Sequence, residues 1–364
     1  MILVTENSDI GKAVTNLVFL KTQKVAGSTV QNILMRFGYA RDLVFMLGAK
    51  KNLYKVGQFP DLFSPSFILR SASGLFNILC HHTRFSQDIK KVMPSNSIYF
   101  TILRDPISTF ESLFSFLDIS EILGFKDSDG IERFFEMPEI YNNILNVSVS
   151  LKNTFLADFG LDITLSDNFS AIYEKILEIE ENFDFVMITE YFDESLVLLK
   201  HLLNWSFADI VSVRSNARPK RQHVRLTLDN IAKINKWNAG DRILYDHFNR
   251  TFWRKAEQFG LVRLSEEVEQ LRKLNTYWDR VCFDKNKVLE LKRRIPGHPT
   301  TDREVTLPKL SKAGSKIEKC VQMSLFSQDF TDIIYASMRE KGQLLDERSP
   351  KKHFLRTITE RPRE

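Results

Sequence analysis

At 364 residues the chain is long enough to bury one large core or two smaller ones, and its 43% hydrophobic and 27% charged content is ordinary for a globular protein. A net charge of +5 suits an anionic small molecule as well as nucleic acid and decides neither. No run reaches the roughly 18 apolar residues that span a bilayer, the first 16 residues lack a secretory-signal pattern, and Cys80, Cys282 and Cys320 stand at no metal-ligand spacing, so the sequence as it stands reads as soluble and without structural zinc.

In chain order, "NLVFL" (16–20) is short, apolar and followed by polar punctuation, which predicts a buried strand. Val30, Ile33, Leu34 and Phe37 then fall on one helix face, and Ser28 with Gln31 fits a capping box at its start. "SIYFTIL" (97–103) predicts a second strand; in the "RDP" that follows, Asp105 is placed to cap a helix and Pro106 to begin it. That helix buries Phe110, Leu113, Phe114 and Leu117. A third unit runs from a helix over 171–183 through strand 185–189 to a helix over 194–205. Alternation of this kind implies an α/β domain with a parallel sheet.

From about residue 226 the pattern is mainly helical, with an amphipathic stripe through Leu264, Val268, Leu271, Leu274 and Val281 that suits packing on the core better than a coiled-coil partner. Residues 341–364 are mixed-charge and poor in apolar side chains, and read as a mobile tail. One disulfide plus a free thiol, or three buried thiols, would both satisfy the cysteine count. Sequons at Asn146, Asn168, Asn204 and Asn249 would accept N-glycans in a secretory compartment. The 29 phenylalanines are spread along the chain, as core packing requires.

The chemistry gathers after the strands. A helix N-terminus offers unpaired N–H groups and partial positive charge, hence an anion site. Gly27 lets backbone approach closely, Ser28 and Thr29 add hydroxyls, and Lys21 and Lys24 add charge. The Walker pattern puts its lysine after the glycines; here Lys24 precedes the small residues, which disfavours an ATPase or GTPase. Arg104 at the end of the second strand and Ser112 in the next helix could grip a second phosphate. Loops at the carboxyl ends of parallel strands are where such a ligand binds. The alternative for Arg104 is a pairing with Asp105 or another sheet-edge carboxylate. His81 and His82 are candidate bases, or a structural pair.

These residues resemble the galactose 3-O-sulfotransferase family. "FLKTQKVAGSTVQNILMRF" is similar to the family's "FLKTHKTASST…NILFRF", and "FNILCHHTRF" and "YFTILRDPISTFESLFSF" have counterparts there. "YFDESLVLLKHLLNW", "SNAR" and "YDHFNRTFWRKAEQFG" follow in the same order, so the likeness covers about residues 16–340. The resemblance implies a P-loop-like sulfotransferase fold: a central parallel sheet flanked by helices, with a mainly helical part over 226–340. It implies transfer of a sulfuryl group from 3′-phosphoadenosine 5′-phosphosulfate to the 3-hydroxyl of a terminal β-galactose on a glycolipid or glycan, without a metal. Lys24 is expected at the bridging oxygen; Lys21, Thr22, Ala26, Gly27, Ser28 and Thr29 at the phosphosulfate; Arg104 and Ser112 at the 3′-phosphate. His82, with His81 beside it, is expected to supply the base, Gln23 to meet the acceptor, and Arg84 to meet the acceptor or a neighbouring carboxylate.

Arg218, in the basic stretch 212–225, is expected to close over the nucleotide or an acidic acceptor, unless that stretch is a solvated loop. It carries no interleaved aromatics, so nucleic acid is not an expected partner. The family implies the Golgi and membrane association through an N-terminal anchor, which residues 1–15 do not supply, and a homodimer is compatible with the reading. The chain departs from the pattern at Gln23, where relatives carry His. Glutamine cannot accept a proton at neutral pH, so an altered acceptor, or an inactive nucleotide- or glycan-binding homologue, stands as the alternative to the enzyme.

Overall fold

The computed structural model describes residues 11–49, 53–57, 60–126, 129–145, 149–213, 226–293 and 303–345. Its centre is a four-stranded, all-parallel sheet built from β1 (Leu17–Leu20), β2 (Ile78–Leu79), β3 (Ile98–Leu103) and β4 (Phe185–Ile188), in the spatial order β2-β1-β3-β4. All of these strand residues except Ile98 are buried, as strands covered on both faces must be. Leu17 aligns with Ile98 and Leu20 with Thr101, while Phe100 faces Phe185 in the next pair. The chain leaves β1 toward β2 on one side and leaves β3 toward β4 on the other. The switch point therefore lies between β1 and β3.

Helix α1 (Gly27–Tyr39) follows β1, and α2 (Pro106–Phe116) follows β3. Asp105 caps α2 by accepting from the Ser108 N–H at 3.0 Å, with Pro106 at the first turn, as the sequence predicts. The capping box expected at α1 does not form: the helix begins two residues earlier, with Ala26 in place of Ser28 at its cap and in the left-handed region. The Gln31 side chain is drawn instead to Lys21, whose buried ammonium needs an acceptor.

Short helices α3 (Ile119–Ile122), α4 (Gly130–Phe134), α5 (Pro138–Ile144) and α6 (Thr154–Asp158) lead to α7 (Phe169–Asn182) ahead of β4, and α8 (Phe192–Leu203) and α9 (Phe207–Ile210) follow that strand. Helices α10 (Leu228–Trp237), α11 (Ala239–Phe259) and α12 (Leu261–Cys282) then cover the core. Leu264, Val268 and Leu271 of α12 are buried in the same core as the sheet, so the stripe seats the helix on its own domain. A second apolar cluster joins Phe110, Phe114, Phe134 and Trp237 around α2. Several phenylalanines, among them Phe19, Phe45, Phe100, Phe155 and Phe252, are fully buried. Each such ring is worth roughly 1.5–3 kcal/mol of transfer free energy.

The C-terminal part departs from the mainly helical expectation in one place. An antiparallel ribbon, β5 (Phe283–Arg293) with β6 (Arg303–Leu310), stands between α12 and the closing helices α13 (Glu318–Ser324) and α14 (Ser327–Glu340). A disulfide between Cys282 and Cys320 ties the base of this ribbon to α13, leaving Cys80 as the buried free thiol. Residues 341–345, expected to open the tail, are held in place: the Gln343 carbonyl accepts from the Ala72 N–H and the Leu345 N–H donates to the Arg70 carbonyl, beside β2's approach. Among the described residues no helix is long and apolar enough to cross a membrane. Asn146 and Arg218 lie outside the described residues.

Candidate active site

The carboxyl ends of β1, β2 and β3 deliver the predicted residues to one edge of the sheet. Past β1, Lys24 (φ 57°) and Ala26 (φ 62°) both adopt left-handed backbone around Val25. For non-glycine residues that conformation costs on the order of 1–2 kcal/mol each, and such strain collects at ligand sites. Alternating φ sign just before a helix N-terminus is the geometry of an anion-binding backbone nest. Gly27 sits directly over Lys21: a Cβ there would stand 3.1 Å from Lys21 Cγ.

Three interactions hold this loop rigid. Thr22 Oγ1 donates to the Ile102 carbonyl at 2.5 Å, Thr189 Oγ1 donates to the Val25 carbonyl at 3.0 Å, and Arg104 Nη1 donates to the Lys24 carbonyl at 3.1 Å. Arg104 thus spans the switch point between β1 and β3. Its neighbour Asp105 pairs with Arg242 Nη2 at 2.5 Å. Ser112 is half-buried on α2, and Ser28 and Thr29 are half-buried in the first turn of α1. The Lys24 ammonium rests 3.9 Å from the centre of the Phe116 ring, a residue of α2 that the sequence did not single out.

Lys21 is buried and donates to Gln31 Oε1 at 2.6 Å. Burial pulls its ammonium down from 10.5 to about 8, with the Cys80 thiol opposing. Its carbonyl oxygen lies 2.9 Å from His82 Nδ1. A carbonyl only accepts, so Nδ1 carries the proton and Nε2 keeps the lone pair. Burial foremost, and then the Lys21 charge, hold this imidazole well below its usual 6.5. It is therefore neutral at physiological pH. Gln23 Nε2 approaches the same Nδ1 at 3.2 Å; as two donors cannot bond each other, this amide packs beside the ring.

The structure separates the other two residues from this edge. His81 turns the opposite way, into the core, where Nε2 lies 2.9 Å from Thr331 Oγ1 of α14. Burial and Lys21 lower it to about 3, so it stays neutral. Arg84, expected at the acceptor, is buried and hydrogen-bonds three carbonyls: those of Ala157 (2.7 Å), Leu161 (3.0 Å) and Pro60. Its fork holds the chain around α6 in place.

Sequence reasoning missed the acids behind the loop. Asp158, buried at the end of α6, accepts from the Gln23 N–H at 3.2 Å. Burial, and then Asp241, push its carboxyl well above the usual range. Asp241 accepts from the N–H groups of Phe155 and Leu156 at 2.9 and 3.0 Å, and burial raises it to about 7. Neither belongs to a local motif; only the fold brings α11 and α6 together. Among the described residues no cluster of His, Cys, Asp and Glu could hold a metal ion.

A family model described as Galactose-3-O-sulfotransferase matches residues 5–299. The chain belongs to this family. It is 39% identical to the galactosylceramide sulfotransferase of Homo sapiens over 274 residues, which is 74% of this chain and 64% of that protein. It is 35% identical to galactose-3-O-sulfotransferase 2 of Sus scrofa over 301 residues (78% and 74%), and 33% identical to galactose-3-O-sulfotransferase 3 of Mus musculus over 342 residues (90% and 78%). The chain spans a little under two thirds of the length of the human and mouse galactosylceramide sulfotransferases, at 64% each. Family membership agrees with the parallel α/β sheet.

Proposed function

We propose that this chain is a sulfotransferase that moves the sulfuryl group of 3′-phosphoadenosine 5′-phosphosulfate to the 3-hydroxyl of a terminal β-galactose, on a P-loop-like sulfotransferase fold. The observation that carries this reading is the His82–Lys21 contact. It leaves a neutral imidazole whose Nε2 keeps its lone pair, with no hydrogen-bond partner among the described residues, at the sheet edge that also carries the lysine loop. The reaction needs a base on the sugar hydroxyl and positive charge on the departing phosphate oxygen. In our reading His82 Nε2 takes the hydroxyl proton as the sugar oxygen bonds to sulfur. The bond from sulfur to the bridging oxygen breaks, and Lys24 neutralises the charge left on that oxygen.

The donor set fits a doubly phosphorylated nucleotide. The backbone turn at Lys24–Ala26, the α1 N-terminus and the buried Lys21 would hold the phosphosulfate, and Arg104 with Ser112 the 3′-phosphate. The disulfide between Cys282 and Cys320 suits an oxidising lumen, in line with the Golgi. A galactose-terminated glycolipid or glycan is the acceptor class, as the names of the relatives suggest. A changed acceptor is the second reading, because Gln23 packs on His82 where the family pattern has a histidine.

The test is a radiolabelled sulfate-transfer assay across a panel of β-galactosides, with linkage analysis of the product. Label on the galactose 3-oxygen is the expected result. Nucleotide binding without transfer to any acceptor would make the chain an inactive homologue.

A further inference from the structure

We propose that Lys55 is an anion site on the acceptor side of His82, and that the galactoside this chain sulfates carries a negative group, a sulfate ester or a carboxylate, beside the acceptor sugar. The inference rests on the reading just given and names the substrate class of that site.

Residues 53–57 extend the sheet edge past β2. Lys55 forms a parallel bridge with His82, and the Val56 N–H donates to the His82 carbonyl at 3.2 Å. Residues opposed across a bridge present their side chains on the same face, so Lys55 stands on the face that His82 occupies. Its neighbour Tyr54 points the other way, where its hydroxyl donates to Asp332 on α14 at 2.9 Å. Along the edge the order is Arg104, the Lys21–Ala26 loop, His82, then Lys55. The residues assigned to the donor occupy the first two places. Lys55 lies beyond the base, on the side left for the acceptor.

Lys55 is half-buried, and among the described residues it makes no ion pair and no side-chain hydrogen bond. Burial lowers its pKa with no opposing partner, and its charge is one of those that depress His82. The acids behind the loop are otherwise engaged: Asp158 accepts from the Gln23 N–H, and Asp241 from the N–H groups of Phe155 and Leu156. A partly desolvated cation without a counter-ion is costly to maintain, and an anion on the ligand offsets that cost.

The test compares three β-galactosyl disaccharides that differ only at the 6-position of the sugar next to the acceptor galactose: free hydroxyl, sulfate and carboxymethyl ether. A preference in kcat/KM of about tenfold for one or both charged acceptors is expected from a single charge-assisted contact. Lys55→Gln should bring the charged-to-neutral ratio close to one, while Lys55→Arg keeps it. The sulfate and carboxymethyl arms separate the two anions. A wild-type ratio near one, or a preference that survives Lys55→Gln, overturns the proposal. If no galactoside accepts sulfate, the sulfotransferase reading fails. Calorimetric binding of the same three compounds, with 3′-phosphoadenosine 5′-phosphate present, still decides Lys55: equal affinities refute it, and tighter binding of a charged compound that is lost in Lys55→Gln upholds it.

Discussion

His82 Nδ1 donates to the main-chain carbonyl of Lys21 across 2.9 Å, so the loop that carries the lysines also sets the tautomer of the imidazole beside it. Main chain is a firmer orienting partner than a side chain, because no rotamer change can withdraw it. The contact joins the residue after β1 to the segment after β2, which are neighbours only because those two strands pair.

If His82 Nε2 is the base, His82→Ala should lower kcat by roughly 10²–10⁴-fold with little change in melting temperature. The acidic limb of the wild-type pH–rate profile should fall below pH 6.5, because burial and Lys21 disfavour the protonated ring. Sulfate transfer measured from pH 4.5 to 8 checks both. A variant that keeps its full rate would remove His82 from the chemistry.

Gln23 faces the Nδ1 side of the ring, away from the lone pair. Gln23→Ala should therefore cost no more than about tenfold in kcat, in keeping with a support worth about 1 kcal/mol. Steady-state kinetics beside His82→Ala would reverse this assignment if Gln23→Ala proved the more damaging of the two.

Strands β1, β3 and β4 and the longer helices were legible because their signals are local: apolar runs of four to seven residues, Asp105 before Pro106, and a clean 3.6-residue stripe in α2 and α12; the two-residue β2 and the short helices α3–α6 were not. The ribbon β5–β6 was not, since its residues (such as "KNKVLELKR") are charged and alternate weakly, and its pairing is set by the chain's return from residue 303 rather than by a tight turn signal. At the site, the lysine loop and Arg104 could be read from spacing. Which of His81 and His82 faces the edge could not, because adjacent residues in extended chain point to opposite sides and only packing against Thr331 decides which turns inward. The place of Arg84 is hidden for a related reason: its carbonyl partners near residues 60, 157 and 161 are assembled by the fold.

Arg84→Met should destabilise the protein by about 3–5 kcal/mol, because it strands buried carbonyls that a thioether cannot satisfy. Denaturant unfolding measures the loss. The KM for the galactoside in the remaining folded enzyme should stay near the wild-type value; a large rise in KM at unchanged stability would return Arg84 to the acceptor.

The Cys282–Cys320 bond closes a loop with a sequence separation of 38 and encloses the β5–β6 ribbon. Replacing both cysteines by serine should cost about 3–4 kcal/mol by the chain-entropy estimate for a loop of that length. Unfolding midpoints of the oxidised protein, the reduced protein and the double variant check it. Equal midpoints for all three would mean that the bridge contributes nothing to stability.

His81 ties the fold to pH. Its imidazole falls from 6.5 to about 3 on folding, through burial and the Lys21 charge. The unfolded chain then binds more protons between those values, so stability from this group is full above pH 6.5 and is lost as pH falls toward 3. Asp241, raised to about 7 by burial, works in the opposite sense: its stabilising effect is present below pH 3.8 and is lost as pH rises toward 7. The two oppose each other in the whole protein, and a single substitution separates them. Between pH 7 and pH 4.5, wild type should lose about 2–3 kcal/mol more than His81→Gln, from two pH units of the histidine's window. Urea unfolding of both proteins at the two pH values gives this difference directly, and equal losses would show that His81 is not buried as a neutral ring.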